Sequence, residues 1–175
     1  ATALLATYFP RELEKKCGKV MVGKAQELYY QMSTVKDALI VGSIPGVSAM
    51  HDATECGIFG GLYEMAQHSN VGMDIIVEAI CMPEEVKAVC NSLKIDPFSS
   101  ISEGTLLATV CAKNADRVVK ELEANGISAS IAGVVTKAPG IRVYEKNKKR
   151  ILHHPTIDPF WQAFEELLQK RNNKP

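Results

Sequence analysis

The sequence predicts an α/β protein, a mixed β-sheet covered by helices, and three observations carry that expectation. Residues 47–79 and 105–135 each read as strand, helix, strand, and right-handed connections between such strands build one sheet with helices on it. The candidate helices repeat apolar residues every three to four positions, whereas the candidate strands are short and rich in Val and Ile. With 175 residues and 46% hydrophobic content, the chain can bury a substantial core. The expected organisation is one domain, a helical segment over 1–44 leading into an α/β portion over 45–175.

Taken in order, Pro10 suits a first helical position, and Leu13, Cys17, Val20, Met21, Ala25, Leu28 and Tyr29 keep helical spacing to about Met32, with a break expected at Gly23. Ser33 or Thr34 caps a second helix from Val35 to Val41, and Gly42 to Gly46, with Pro45, forms a turn. Val47–His51 is a short strand, Gly57–His68 a helix, Val71–Ala79 a strand and Pro83–Leu93 a helix. A loop from Ile95 ends in Ser102-Glu103-Gly104. Thr105–Cys111 is an apolar strand, Asn114–Asn125 an amphipathic helix closed by Gly126, and Ser128–Val135 a strand. Lys137-Ala138-Pro139-Gly140 reads as a hairpin turn into Ile141–Tyr144. Last comes a helix over Pro159–Leu168, whose Phe160, Trp161, Phe164, Leu167 and Leu168 form an apolar face expected to dock on the domain itself; exposed, it would be a partner-binding helix.

Composition excludes several functions. Twenty basic and twenty acidic side chains leave no net charge, so no global field favours nucleic acid or an anionic membrane. Lys146, Lys148, Lys149 and Arg150 cluster, but no aromatics interleave and the cluster reads as a solvated turn. Apolar runs fall short of a membrane span, and no signal-peptide pattern opens the chain. The five cysteines are odd in number, with no Cys-x-x-Cys pair and no zinc spacing, which points to buried thiols in a reducing, cytoplasmic setting and to no metal site.

The stretch with chemistry in it is His51-Asp52-Ala53-Thr54-Glu55-Cys56-Gly57, continuing through Gly60 and Gly61. It places an acid, a hydroxyl and small residues where a helix starts, and the first N–H groups of a helix attract an anion. Asp52 or Thr54 caps the helix, or a phosphate sits there; the plainer alternative is that these are ordinary caps and the glycines serve tight packing. Ser102, Gly104 and Thr105 form a second polar loop that, on the same sheet edge, would share the ligand. Both loops offer hydroxyls and unpaired N–H groups rather than strong bases, which suits holding a phosphate or acyl phosphate more than moving a proton. Glu55 and Glu103 read as solvated charges, and no catalytic residue is assigned. Cys56 is the candidate reactive thiol, because a helix N-terminus lowers a thiol's pKa.

Four segments in a fixed order resemble a known family: His51 to Gly57, Asn70-Val71-Gly72-Met73-Asp74-Ile75, Leu93-Lys94-Ile95-Asp96-Pro97, and Ile101-Ser102-Glu103-Gly104-Thr105-Leu106-Leu107. Together they are similar to the Asp-x-Thr-x-Gly-Gly loop and the L-G-L-D-P … I-S-S-G-T-L-L block of AIR synthase-related proteins, in their PurM-like C-terminal domain. The likeness runs from about Gly23 to Val143, and the hydrogenase-maturation, HypE-like branch is the most similar. Aminoimidazole ribonucleotide synthetase, selenophosphate synthetase and thiamine-monophosphate kinase are more distant.

The resemblance implies an α/β domain with partial ferredoxin-like topology. It implies ATP and Mg2+ bound mainly through an N-terminal half that this chain lacks, since Ala1 to Thr7 resembles a phrase found mid-protein in the family. The shared strategy of the family is to activate an amide or related oxygen as a phosphate. This portion alone is then expected to be inactive and to bind no cofactor. Implied partners are the N-terminal half, a second copy in a full-length homodimer, and a maturation partner protein. Glu55 and Cys56 stand where the hydrogenase-maturation branch often has Arg and Gly, and no cysteine lies near the C-terminus. A diffusible substrate is therefore at least as well supported as a reaction on the chain's own tail. Two other classes stay open: a non-catalytic assembly module, and a thiol-dependent redox protein centred on Cys56.

Overall fold

The computed structural model describes residues 1–173. Helices α1 (Thr2–Tyr8), α2 (Pro10–Cys17), α3 (Lys19–Glu27) and α4 (Val35–Gly42) precede β1 (Val47–Ala53), α5 (Gly57–Ser69) and β2 (Gly72–Ile76). Then follow α6 (Glu84–Leu93), β3 (Thr105–Val110), α7 (Ala112–Ala124), β4 (Gly133–Thr136), β5 (Gly140–Glu145), β6 (Lys148–Leu152) and α8 (Pro159–Asn172), with short 3-10 turns at Leu28–Gln31 and Val77–Ala79.

The class is α/β as expected, but the strands divide between two sheets where one was expected. β1 pairs antiparallel with β3, and a mixed sheet runs β4-β2-β5-β6, its β2–β5 pair parallel and the others antiparallel. Each strand-helix-strand unit thus gives its first strand to the small sheet and its second to the large one. Alternation in a sequence fixes that a segment is extended and which face it buries, not which strand lies beside it.

The expected hairpin at 137–140 is a second difference, because β2 lies between β4 and β5. The connection passes so close to the start of β2 that a Cβ on Gly72 would run into the Ala138 carbonyl oxygen. The true hairpin joins β5 to β6 through Lys146 and Asn147, both left-handed at φ 48° and 62°, the backbone a two-residue I′ turn requires. β6 itself, and α1, were not foreseen. The basic cluster is this hairpin, with Lys149 over the Tyr144 ring and Arg150 over the Phe59 ring.

The long N-terminal helix breaks at Gly18, not Gly23. Gly18 has φ 84°, whereas Gly23 lies inside α3 with an ordinary φ.

Three apolar clusters hold these elements. On the large sheet, Ile58, Phe59, Leu62, Met65 and Ala66 of α5 pack against Met73, Ile75, Ile141, Val143 and Leu152. Burying each large aliphatic or aromatic side chain of this kind contributes about 1.5–3 kcal/mol. Leu5, Leu13, Val22 and Ala25 of the N-terminal helices, with Phe9 between α1 and α2, join Val89, Phe160 and Leu167, so α8 docks on the chain itself, leaving Trp161 half exposed. Val41, Ile44, Val118 and Leu122 bind α4 and α7 to the small sheet.

Candidate functional site

Pairing of β1 with β3 decides where the polar loops go. Ala53, the last residue of β1, is opposite Thr105, the first of β3, so the loops around Thr54 and Ser102 leave the small sheet side by side. The Ser102 amide donates to the Thr54 carbonyl at 3.1 Å, and the Ser102 and Thr105 hydroxyls are hydrogen-bonded at 2.9 Å.

Glycine lets the segments meet. Gly57 has φ 61°, and a Cβ there would lie 2.6 Å from the Ser100 carbonyl oxygen and 2.7 Å from that of Phe98. The 96–100 turn that crowds it is shaped by Asp96, which accepts from the Phe98 amide at 3.0 Å and the Ser99 hydroxyl at 2.6 Å. Gly104, at φ 93°, has no room for a Cβ beside the Gln31 carbonyl. Thr54, Gly57, Ser102, Gly104 and Thr105 therefore come together at one edge. Asp52 lies at the border of this edge, not within it: strand alternation turns it out to solvent, opposite Leu106.

Neither Asp52 nor Thr54 caps α5. The carboxylate at its start is Asp158, from the far end of the sequence. Its Oδ2 accepts from the Cys56 amide at 2.8 Å, its Oδ1 accepts from the Phe160 amide at 2.9 Å, and the residue is only 6% exposed. Asp158 before Pro159 is a readable N-cap signal for α8; its second partner, over a hundred positions away, has no sequence signature. Other donors of the two loops are also used internally. Gly57 donates to the Thr54 carbonyl, Phe59 to that of Phe98 and Thr105 to that of Ser102. These amides tie the loops together instead of standing unpaired.

Cys56 corrects another expectation. Its thiol lies above the ordinary cysteine range, because burial and the carboxylates of Asp158, Glu55 and Glu64 all disfavour the thiolate. Its Sγ donates to the Pro155 carbonyl at 2.9 Å, and its backbone is left-handed at φ 59°. All five cysteines are free thiols.

One polar pair was missed. His51 Nε2 and Glu64 Oε2 lie 2.7 Å apart, linking β1 to α5, and the bare Cα of Gly61 leaves space for the imidazole, since a Cβ there would come within 3.2 Å of His51 Cδ2. Nothing in linear spacing ties a strand residue to a particular helix turn. Glu55 and Glu103 are exposed. Among the described residues, no group of three or more His, Cys, Asp or Glu is placed to hold a metal ion. No described helix is long and apolar enough to cross a membrane.

Residues 11–146 match the AIR synthase related protein, C-terminal domain. The chain belongs to that family. Within it, the carbamoyl dehydratase HypE of Azotobacter vinelandii is 34% identical over 100 residues, 56% of this chain and 29% of that protein. The crystal structure of Escherichia coli HypE, a hydrogenase maturation protein, superposes with TM-score 0.66 at 28% identity, covering 74% of this chain and 42% of that one. Structures of HypE in complex with ATP and of a HypE–HypF complex share the fold, with TM-scores of 0.59 and 0.60 at 22% and 24% identity. They cover 65% and 66% of this chain and 37% and 39% of theirs. This HypE-like chain of the family thus spans well under half the length of those relatives. Its segment 147–173, with β6, Asp158 and α8, lies outside the family match.

Proposed function

We propose that this chain is the C-terminal domain of a HypE-like, ATP-dependent enzyme, and that Thr54, Gly57, Ser102, Gly104 and Thr105 form the wall facing a phosphate or acyl-phosphate group of the substrate. Asp52 belongs to the rim of that wall. The observation that carries this reading is the Ser102–Thr54 hydrogen bond, which joins the two loops at one edge. A second observation supports it: the Ala1 nitrogen donates to the Ile101 carbonyl at 2.6 Å, so a segment joined ahead of Ala1 would enter beside this edge.

The residues present do not build a nucleotide site by themselves. No glycine-rich phosphate loop with its lysine occurs, and Asp52, Glu55 and Glu103 give the loops a negative rim that opposes a bare phosphate. ATP and Mg2+ are assigned to an N-terminal half, the metal supplying the counter-charge this edge lacks. What the chain itself contributes is hydroxyl groups and a fixed backbone that orient the acceptor oxygen. The full protein is assigned to the cytoplasm, dimerising as a whole and meeting a maturation partner protein, with the helical segment 1–44 and the α/β portion 45–175 acting as one domain.

ATP turnover in a longer polypeptide that includes the N-terminal half tests this. Hydrolysis is expected there and not in this chain alone. Equal turnover in the longer polypeptide with and without Thr54→Ala plus Ser102→Ala would remove these loops from the site. An assembly role is the second reading, favoured by exposed Val35, Leu39 and Met50, which line one open apolar hollow. Partner capture unaffected by nucleotide would support it.

A further inference from the structure

We propose that residues 153–158 form a strap that latches the 54–57 loop to α8, and that α8 and this loop are released together as one conformational unit. This goes beyond the proposed ATP-dependent role and does not depend on it.

Four contacts define the latch. Asp158 bridges the Cys56 and Phe160 amides, using one carboxylate oxygen for each. The Cys56 thiol donates to the Pro155 carbonyl. The His154 ring meets Tyr63 of α5 edge-on, with centroids 5.1 Å apart. Beyond the strap, Phe160 and Leu167 anchor α8 among Leu5, Phe9 and Leu13. Asp158 is thus the cap of α8 and the clamp of the α5 loop at once; the cap bond is local and travels with α8, so undocking of α8 leaves the Cys56 amide without its partner.

Backbone strain marks the clamped point. Cys56 is a non-glycine residue held at φ 59°, a conformation that persists where the surroundings over-determine it. The strap supplies that constraint from the carboxylate side and Phe98, accepting from the Phe59 amide, supplies it from the other. When α8 undocks, the carboxylate leaves Cys56, the thiol loses the Pro155 acceptor, and residue 56 relaxes toward negative φ. Because α8 packs on α1 and α2, a change at the N-terminal helices reaches the candidate edge through this strap.

The thiol reports the latch. In the full chain, alkylation by iodoacetamide is followed at each cysteine by peptide mass spectrometry, with exposed Cys81 and buried Cys90 as internal standards. Asp158→Ala removes both clamp bonds and is expected to speed Cys56 alkylation by about tenfold or more, through access and a larger thiolate fraction. Asp158→Asn removes the charge but keeps an acceptor, and is expected to give a smaller increase. The proposal is overturned if Cys56 reacts in Asp158→Ala as in the parent while Cys90 stays protected, or if both variants accelerate it equally. Should Asp158→Ala expose Cys90, hydrogen exchange in the unmodified chain decides. The Cys56 amide and the interior α8 amides, from Ala163 to Leu167, opening together show equal protection; a difference beyond about tenfold sinks the shared release.

Discussion

Helices α5 and α7 occupy the same place in two copies of one strand-helix-strand plan, yet they are built for different work. Each follows a strand of the small sheet and each has a cysteine at its N-cap, Cys56 or Cys111. α5 buries eight residues, three of them glycines, while α7 buries only Val118 and Leu122 and turns a charged face to water. Cys111 has an ordinary φ of −60°. Its loop is fixed by the 45–46 turn, through Cys111 N to the Gly46 carbonyl and Asn114 Nδ2 to the Pro45 carbonyl. Cys56 is left-handed, with Asp158, Phe98 and Ser102 all converging on its loop. The same supersecondary unit serves once as a buttress and once as a meeting point. A left-handed cap residue and a buried carboxylate gather only at the second, although the first also has a tight glycine, Gly46 at φ 87° with no room for a Cβ beside the Cys111 sulfur.

The contrast can be broken most sharply at its glycines. Gly57→Ala places a Cβ against two carbonyl oxygens at a left-handed φ, and should destabilise by about 3 kcal/mol or more. Gly126→Ala, at the end of α7 with φ 77° but open space around it, should cost about 1 kcal/mol. Denaturant midpoints measure both, and equal losses would erase the distinction. Next in size is the functional arm: in a longer polypeptide with the N-terminal half, Thr54→Ala should lower kcat by about tenfold to a hundredfold. Thr109→Ala on the same small sheet should leave it unchanged, so similar losses would make the effect one of sheet packing.

Replacing each cap cysteine by glycine gives a smaller signal. Cys56→Gly relieves about 1 kcal/mol of left-handed strain and forfeits a thiol hydrogen bond of similar worth, for little net change. Cys111→Gly gains no relief and should lose about 0.5–1 kcal/mol. Reversal of that order in thermal unfolding would place the strain elsewhere.

The faintest effect lies on the second strands. On β2, the Arg142 hydrogen bond holds Asp74 below the ordinary carboxylate range, so its stabilisation is present above the unfolded-state pKa and lost as pH falls through the folded-state value. Asp74→Asn should therefore narrow the gap in stability between about pH 6 and pH 3. Val134, opposite Asp74 on β4, has no charge to titrate, and Val134→Thr should leave the gap unaltered.

These pairs also show what sequence carries. Helices α5 and α7 were legible because apolar spacing reports the local 3.6-residue period, and the loop motifs were legible because they match a family. The placement of Thr54 beside Ser102 followed from expecting both at one sheet edge, although the edge belongs to a two-stranded sheet. Gly18 and Gly23 are indistinguishable by type; only the burial of residues on either side selects which one turns. Asp158 before Pro159 carries the signal of a local cap and nothing more, because its link to Cys56 is made by folding. The left-handed backbone at Cys56 was hidden for the same reason, since the strap and the 96–100 turn impose it from outside.

The position of β2 in its sheet bears on how the protein is made. Gly72 to Ile76 leaves the ribosome long before Gly133–Thr136 and Gly140–Glu145, the two strands that must flank it. Until then Met73 and Ile75 have only α5 for shelter, and both edges of that strand are open to any neighbouring chain. The nascent chain must therefore keep an unsealed seam quiet until its last third emerges, and early release at that stage would favour aggregation over completion.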